Sequence, residues 1–277
     1  MQFGKRSLSL DEPRVMGILN VTPDSFFDGG KLYDQQGLII DSALHKAEAM
    51  VAAGADFIDI GGESTRPGAE APSCQEEMQR VLPIVEALAG NIDAVISIDT
   101  SNPELMREAA NLGAGLINDV RALRLDGALT AAADSGLPIC LMHMQGEPQT
   151  MQQQADYESV VDCVADYFDQ RISACRAAGI DHQQLILDPG IGFGKTLAHN
   201  RALLKATPRF AADYPVLIGV SRKSMIGHIL GHDTDGRLIG SLALAYDALM
   251  RGASIVRVHD VDETADVVNM FKFMQQD

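Results

Sequence analysis

Basic residues are scarce in this chain. Its 277 residues include 22 lysines and arginines against 38 aspartates and glutamates, a formal net charge of −16 at neutral pH. A surface of that sign repels nucleic acid and anionic membranes, so neither is expected as a partner. Any anionic substrate then needs a local cluster of cations. Cysteine is scarce too: Cys74, Cys140, Cys163 and Cys175 lack the paired close spacing of a zinc site or redox motif. They are expected as reduced, structural thiols in a cytosolic setting. No run approaches the ~18 uninterrupted apolar residues of a membrane span. The opening MQFGKRSLSLDEPRV has no apolar signal stretch, so a soluble, cytoplasmic protein is expected.

Several catalytic signatures are also missing. There is no HExxH and no HxH on the first strand, which argues against a histidine-bound metal hydrolase. His45, His182, His199, His228 and His232 lie in helices or loops and are expected to be structural. Neither Gly62–Ser64 nor Gly219–Ser221 forms the nucleophile elbow of a serine hydrolase. DPGIGFGKT, from Asp188 to Thr196, falls one residue short of a Walker phosphate loop. Its glycines instead suit close backbone approach to a flat ligand, with Phe193 as a wall residue or as packing between loops.

What the chain does have is a repeat of helix, glycine stop, short apolar strand and polar strand end, as in AGADFIDIGGE, LGAGLINDV, SGLPICLMHM and RGASIVRVHD. Gly54, Gly113, Gly136, Gly179 and Gly252 read as helix stops. The strands expected are Val15–Val21, Phe57–Gly61, Ala94–Thr100, Leu116–Val120, Pro138–Met144, Leu185–Pro189, Val216–Ser221 and Ser254–His259. Helical patterns between them include 36–53, 75–89, 103–112, 157–178, 238–251 and 263–274. Ser101-Asn102-Pro103-Glu104 marks a helix start. Eight β/α units without a linker or composition break match an α/β fold of the (β/α)8 TIM barrel class, with a doubly wound open sheet as the alternative.

In such a barrel the active site lies at the C-terminal strand ends. Those ends deliver Asn20, Asp59 with Glu63, Asp99, Asn118 with Asp119, His143, Asp188, Lys223, and Arg257 with His259. A helix cap or satisfied buried group explains any one of them, but not all together. Arg257 and His259 are two apart on one strand, share a face, and can hold one anion. Arg66 and Lys223 could complete that site, and the Asn20 amide oxygen could hold Mg²⁺, which is otherwise held largely by substrate phosphates. Arg222 reads most simply as a solvated loop charge. Phe26 and Phe27, adjacent in a glycine-flanked loop, suit closure over a ligand or packing against a neighbouring loop.

The segments GILNVTPDSFFDGG, DIGGESTRPGA, SIDTSNPE, INDV, MHMQG, DPGIGFGK, GVSRKS and RVHDV, in order from about Val15 to Val261, resemble the strand-end motifs of the bacterial dihydropteroate synthase family. The resemblance implies one pterin-binding barrel domain over residues 1–277. It also implies condensation of 6-hydroxymethyl-7,8-dihydropterin pyrophosphate with para-aminobenzoate for folate synthesis. By the same resemblance Asp99, Asn118, Met142, Asp188 and Lys223 bind the pterin, and Arg257 and His259 hold the diphosphate with Mg²⁺ on Asn20. Thr65 and Arg66 close over the site, while Phe26, Pro67, Phe193, Ser224 and Lys223 frame the aminobenzoate pocket. Catalysis is expected from Asn20, Asp99, Lys223, Arg257 and His259, with sulfonamide sensitivity and a homodimer. A related corrinoid-linked methyltransferase has no use for the anion clamp, and a non-catalytic pterin binder would lack Asn20 or Arg66.

Overall fold

The computed structural model describes residues 1–22, 33–34, 37–38, 40–63, 72–146 and 156–276. Phe26, Phe27, Thr65, Arg66 and Pro67 lie outside the described residues. Eight strands line up in parallel: β1 (Arg14–Asn20), β2 (Phe57–Gly61), β3 (Val95–Asp99), β4 (Leu116–Asp119), β5 (Ile139–Met142), β6 (Leu185–Asp188), β7 (Leu217–Ile218) and β8 (Ile255–Val258). Their order in the sheet is β6-β5-β4-β3-β2-β1-β8-β7. A parallel bridge between Leu187 and Val216 joins β6 to β7 and brings the two ends of the sheet together. The open-sheet alternative is thereby excluded.

The helices are α1 (Ile40–Ala52), α2 (Cys74–Leu88), α3 (Pro103–Leu112), α4 (Ala128–Ser135), α5 (Val160–Ala177), α6 (Leu197–Lys205), α7 (Thr207–Phe210), α8 (Ser224–Leu230), α9 (Leu238–Met250) and α10 (Val261–Met274). All five glycines read as helix stops have positive φ, for example +114° at Gly113, a backbone that side chains disfavour. Asn102 caps α3, its side chain accepting from the backbone N–H of Glu104 at 3.0 Å. Residues 37–38 pair antiparallel with 33–34, so α1 begins at Ile40 rather than at position 36; α5 begins at Val160, after its cap Ser159, rather than at 157, and α10 at Val261 rather than at 263.

Side chains alternate across a strand, so each barrel strand sends every second residue inward. The bottom tier is wholly apolar, one residue from each strand: Met16, Phe57, Val95, Leu116, Cys140, Ile186, Leu217 and Ile255. Phe3 closes it from below, its ring edge-on to Phe57 at 5.0 Å between centroids. A short hairpin of Gln2–Phe3 with Arg6–Ser7 places that plug. The outward residues of the same strands, such as Ile58, Ile96, Ile117 and Val256, form the core beneath the helices. Two residues further along each strand the interior changes character.

Candidate active site

The next inward positions are Ile18, Asp59, Ser97, Asn118, Met142, Asp188, Gly219 and Arg257. Six of these, all but Asp59 and Ser97, line a cavity at the C-terminal end of the barrel, together with Asp99, Val120, Phe193, Ser221, Lys223 and His259. It holds about 480 Å³ of atom-free space, counting the part open to solvent. Strand register sets the level of the upper residues: Asn20 pairs with Gly61, Gly61 with Asp99, and Asp99 with Asn118. Thus the sequence-expected Asn20, Asp99, Asn118, Met142, Asp188, Phe193, Lys223, Arg257 and His259 come together. Ser224 is exposed at the start of α8, outside that lining.

The centre of the network is Asp59, which has no solvent exposure. Its carboxylate accepts from the Ser97 hydroxyl at 2.5 Å, the Asn118 Nδ2 at 3.0 Å and the Arg257 Nε at 2.6 Å. Arg257 also donates through a terminal nitrogen to Asp99 at 2.8 Å. Burial, and then the neighbouring acids Asp59, Glu63 and Asp119, push the Asp99 carboxyl above its ordinary range, while Arg257 opposes the shift. Asp188 is raised by burial in the same way and lowered by the Lys223 charge. Its oxygen accepts the Gly190 N–H at 2.7 Å.

Lys223 donates to the Ile191 carbonyl and stands 4.5 Å from the centroid of the Phe193 ring. Burial pushes its ammonium down to about 8, against the pull of Asp188. Gly192 has a φ of +87° and a Cβ there would meet the Lys223 stem at 2.9 Å, so a side chain at this position is strained. Phe193 packs over Val120, Met142 and Met144, an apolar wall facing the polar one. His259 meets the Ser221 hydroxyl twice, through its backbone N–H and its Nδ1, both at 3.1 Å. Burial and Arg257 push its imidazole down to about 3, so it is neutral at physiological pH.

Asn20 is the candidate metal ligand. Its side-chain oxygen lies where a Cβ on Gly61 would approach to 3.4 Å, and Asp99 Oδ2 to 3.8 Å, so this glycine keeps the space beside both groups open. Among the described residues no group of three or more His, Cys, Asp or Glu side chains could hold a metal. One hard amide oxygen fits a Mg²⁺ that takes its other ligands from phosphate and water.

Three strand-end candidates point elsewhere, His143 and Asp119 by the same alternation and Glu63 through its pairing with Arg121. His143, between inward Met142 and Met144, turns outward against Tyr167 at 4.9 Å and the Lys195 ammonium at 3.0 Å. Asp119 faces outward and accepts from Ser101 and the backbone N–H groups of Arg121 and Leu123. Glu63 forms a two-point pair with Arg121 at 2.9 and 2.8 Å. Arg222 is not a solvated loop charge, since its Nε donates to Asp260 at 2.8 Å. Ser221 and Asp59 were in view without assigned roles, and the period of two from Leu217 through Gly219 and from Phe57 was the signal that places both inward.

Residues 16–259 match the model of a family described as pterin binding enzyme. The chain is 53% identical over 265 residues to dihydropteroate synthase of Escherichia coli K12, covering 95% of this chain and 92% of the relative. It is 49% identical over 268 residues to the Haemophilus influenzae dihydropteroate synthase, with 96% of each covered. Among solved structures it resembles the Yersinia pestis dihydropteroate synthase in a sulfonamide drug complex, with a TM-score of 0.94, 49% identity and 99% of each chain covered. The Xanthomonas albilineans dihydropteroate synthase with 4-aminobenzoic acid gives a TM-score of 0.91 at 44% identity, covering 100% of this chain and 98% of that one.

Proposed function

The chain belongs to the pterin binding enzyme family, and on that footing we propose where its barrel holds each reactant of dihydropteroate synthesis. The reaction joins 6-hydroxymethyl-7,8-dihydropterin pyrophosphate to para-aminobenzoate, giving 7,8-dihydropteroate and pyrophosphate for folate. The observation that carries the placement is the polar tier around Arg257, held by Asp59 and Asp99 beside Asn118 and Asp188.

A pterin presents a guanidine-like edge of N–H donors, and Asp99, Asn118 and Asp188 offer that edge carboxylate and amide acceptors. Lys223 takes the pterin carbonyl side, Met142 covers the ring, and Phe193 frames the aminobenzoate pocket. Arg257 and the neutral His259 donate to the diphosphate, the local site that the acidic chain requires. Mg²⁺, held by Asn20 and the diphosphate, supplies neutralisation of the leaving charge when bound. Phe26, Thr65, Arg66, Pro67 and Ser224 belong to the aminobenzoate side and its closing loops by resemblance alone.

Arg257 and His259 stabilise charge that grows on the departing pyrophosphate, and the electron-rich dihydropterin spreads the positive charge left on the methylene. The aniline nitrogen then attacks the methylene, and the proton it loses passes to the released pyrophosphate or to water. No described residue lining the cavity has to act as a strong base, which suits a histidine pushed as low as His259.

The wider reading places one barrel domain over residues 1–277 in the cytoplasm, away from nucleic acid. Free thiols at all four cysteines and the excess of acidic residues support that placement. Among the described residues no helix is long and apolar enough to cross a membrane. Two copies pair through the exposed apolar side chains Ile239, Met250, Met270 and Phe273 of α9 and α10. Pyrophosphate release that requires both substrates tests the assignment, and its absence in folded protein contradicts it.

A further inference from the structure

We propose that Asp59 is a positioning residue that sets both halves of the pterin diphosphate site: it fixes which atom Asn118 shows the ring, and it holds Arg257 for the diphosphate. The inference rests on the functional reading above. Asp59 itself has no exposure and is not among the residues that line the cavity. The Asp59 oxygen that accepts the Arg257 Nε–H at 2.6 Å calls for donors, so the Asn118 side chain turns its NH₂ toward it, with Nδ2 at 3.0 Å. The amide oxygen is then left for the cavity that Asn118 lines. With Asp188 and Asp99 alongside, the wall consists of acceptors and matches a ligand edge made of donors. Were the amide reversed, the same wall would repel that edge.

Arg257 is clamped from two neighbouring strands, its Nε by Asp59 on β2 and a terminal nitrogen by Asp99 on β3. The plane of the guanidinium is fixed, and its remaining N–H groups are kept for an anion. Ser97 in turn holds the other oxygen of Asp59 at 2.5 Å. The fold alone gives no reason for this charge. The tier beneath is apolar in all eight strands, and Ile18 and Met142 occupy the same tier as Asp59. Apolar packing of such a position is often neutral or stabilising.

The test uses the full-length protein with Asp59→Asn, which keeps the shape and leaves Arg257 paired with Asp99. The Michaelis constant for the pterin pyrophosphate should rise about tenfold or more, the loss expected for a charge-assisted hydrogen bond. The constant for para-aminobenzoate should stay within about twofold. Asn118→Ala should cost less in the Asp59→Asn background than in the parent chain, because the two act on one contact. A folded Asp59→Asn protein with an unchanged pterin constant, or additive effects of the two substitutions, overturns the inference. If Asp59→Asn does not fold, Ser97→Ala removes one of its three donors and should give a smaller rise confined to the pterin substrate. Lowered stability with an unchanged constant in Ser97→Ala counts against the role. A parent protein without activity would contradict the functional reading instead, so the two failures are distinguishable.

Discussion

Asp99 and Asp188 are buried acids held against cations, and the cations themselves are pushed toward neutrality or locked in pairs. Lys223 is lowered to about 8 and His259 to about 3, while Arg257 stays charged between two carboxylates. At neutral pH the mouth therefore offers fixed donors to an anion and no strong base to a nucleophile. This arrangement suits departure of pyrophosphate before attack. With ¹⁸O in the bridge between methylene and diphosphate, the label should migrate to non-bridging positions when Mg²⁺ is present and para-aminobenzoate is absent. Strict retention of the label until the second substrate is added would show that the aniline assists the bond cleavage. At this scale the sequence was informative where alternation was applied. It put Arg257 and His259 on one face, but the same rule, carried from Met142 and Asn118, also turns His143 and Asp119 away. The partners of Asp59 were not legible, because its donors arrive from positions 38, 59 and 198 residues away along the chain.

Glycine stops and apolar runs were strong local signals, and the strands they bracket stand where the apolar runs place them. The elements that were missed carry weak signals. Gln2–Phe3 and Arg6–Ser7 are strands of two residues each, too short to show a period, yet their turn drives Phe3 into the bottom of the barrel. Residues 33–34 and 37–38 pair for the same short span, which is why α1 starts late. Phe3 is 1% exposed, so Phe3→Ala should open a cavity and cost about 3 kcal/mol of stability. Thermal denaturation reads this as a clear fall in melting temperature, with substrate constants unchanged, since the plug lies at the end opposite the catalytic mouth. An unaltered melting temperature would mean that the ring does not support the barrel.

Closure of the barrel is a property of the whole molecule and was invisible in the order of elements, which a doubly wound sheet shares. The Leu187–Val216 bridge decides it, reinforced by the Leu187 N–H donating to the Pro215 carbonyl at 3.0 Å. Closure also gathers into one cavity the cations that an acidic chain needs for a phosphorylated substrate. On the outside, Ile239 is 73% and Phe273 63% exposed, an apolar face suited to a second copy of the chain. Sedimentation should show a dimer for the parent protein and a monomer after Ile239→Asp with Phe273→Asp; a monomeric parent would refute the pairing. The most direct test of the central claim is pyrophosphate release by the purified, folded protein. Release should occur with the pterin pyrophosphate, para-aminobenzoate and Mg²⁺ together, and should stop when either substrate is withheld. No release with all three present would contradict the account.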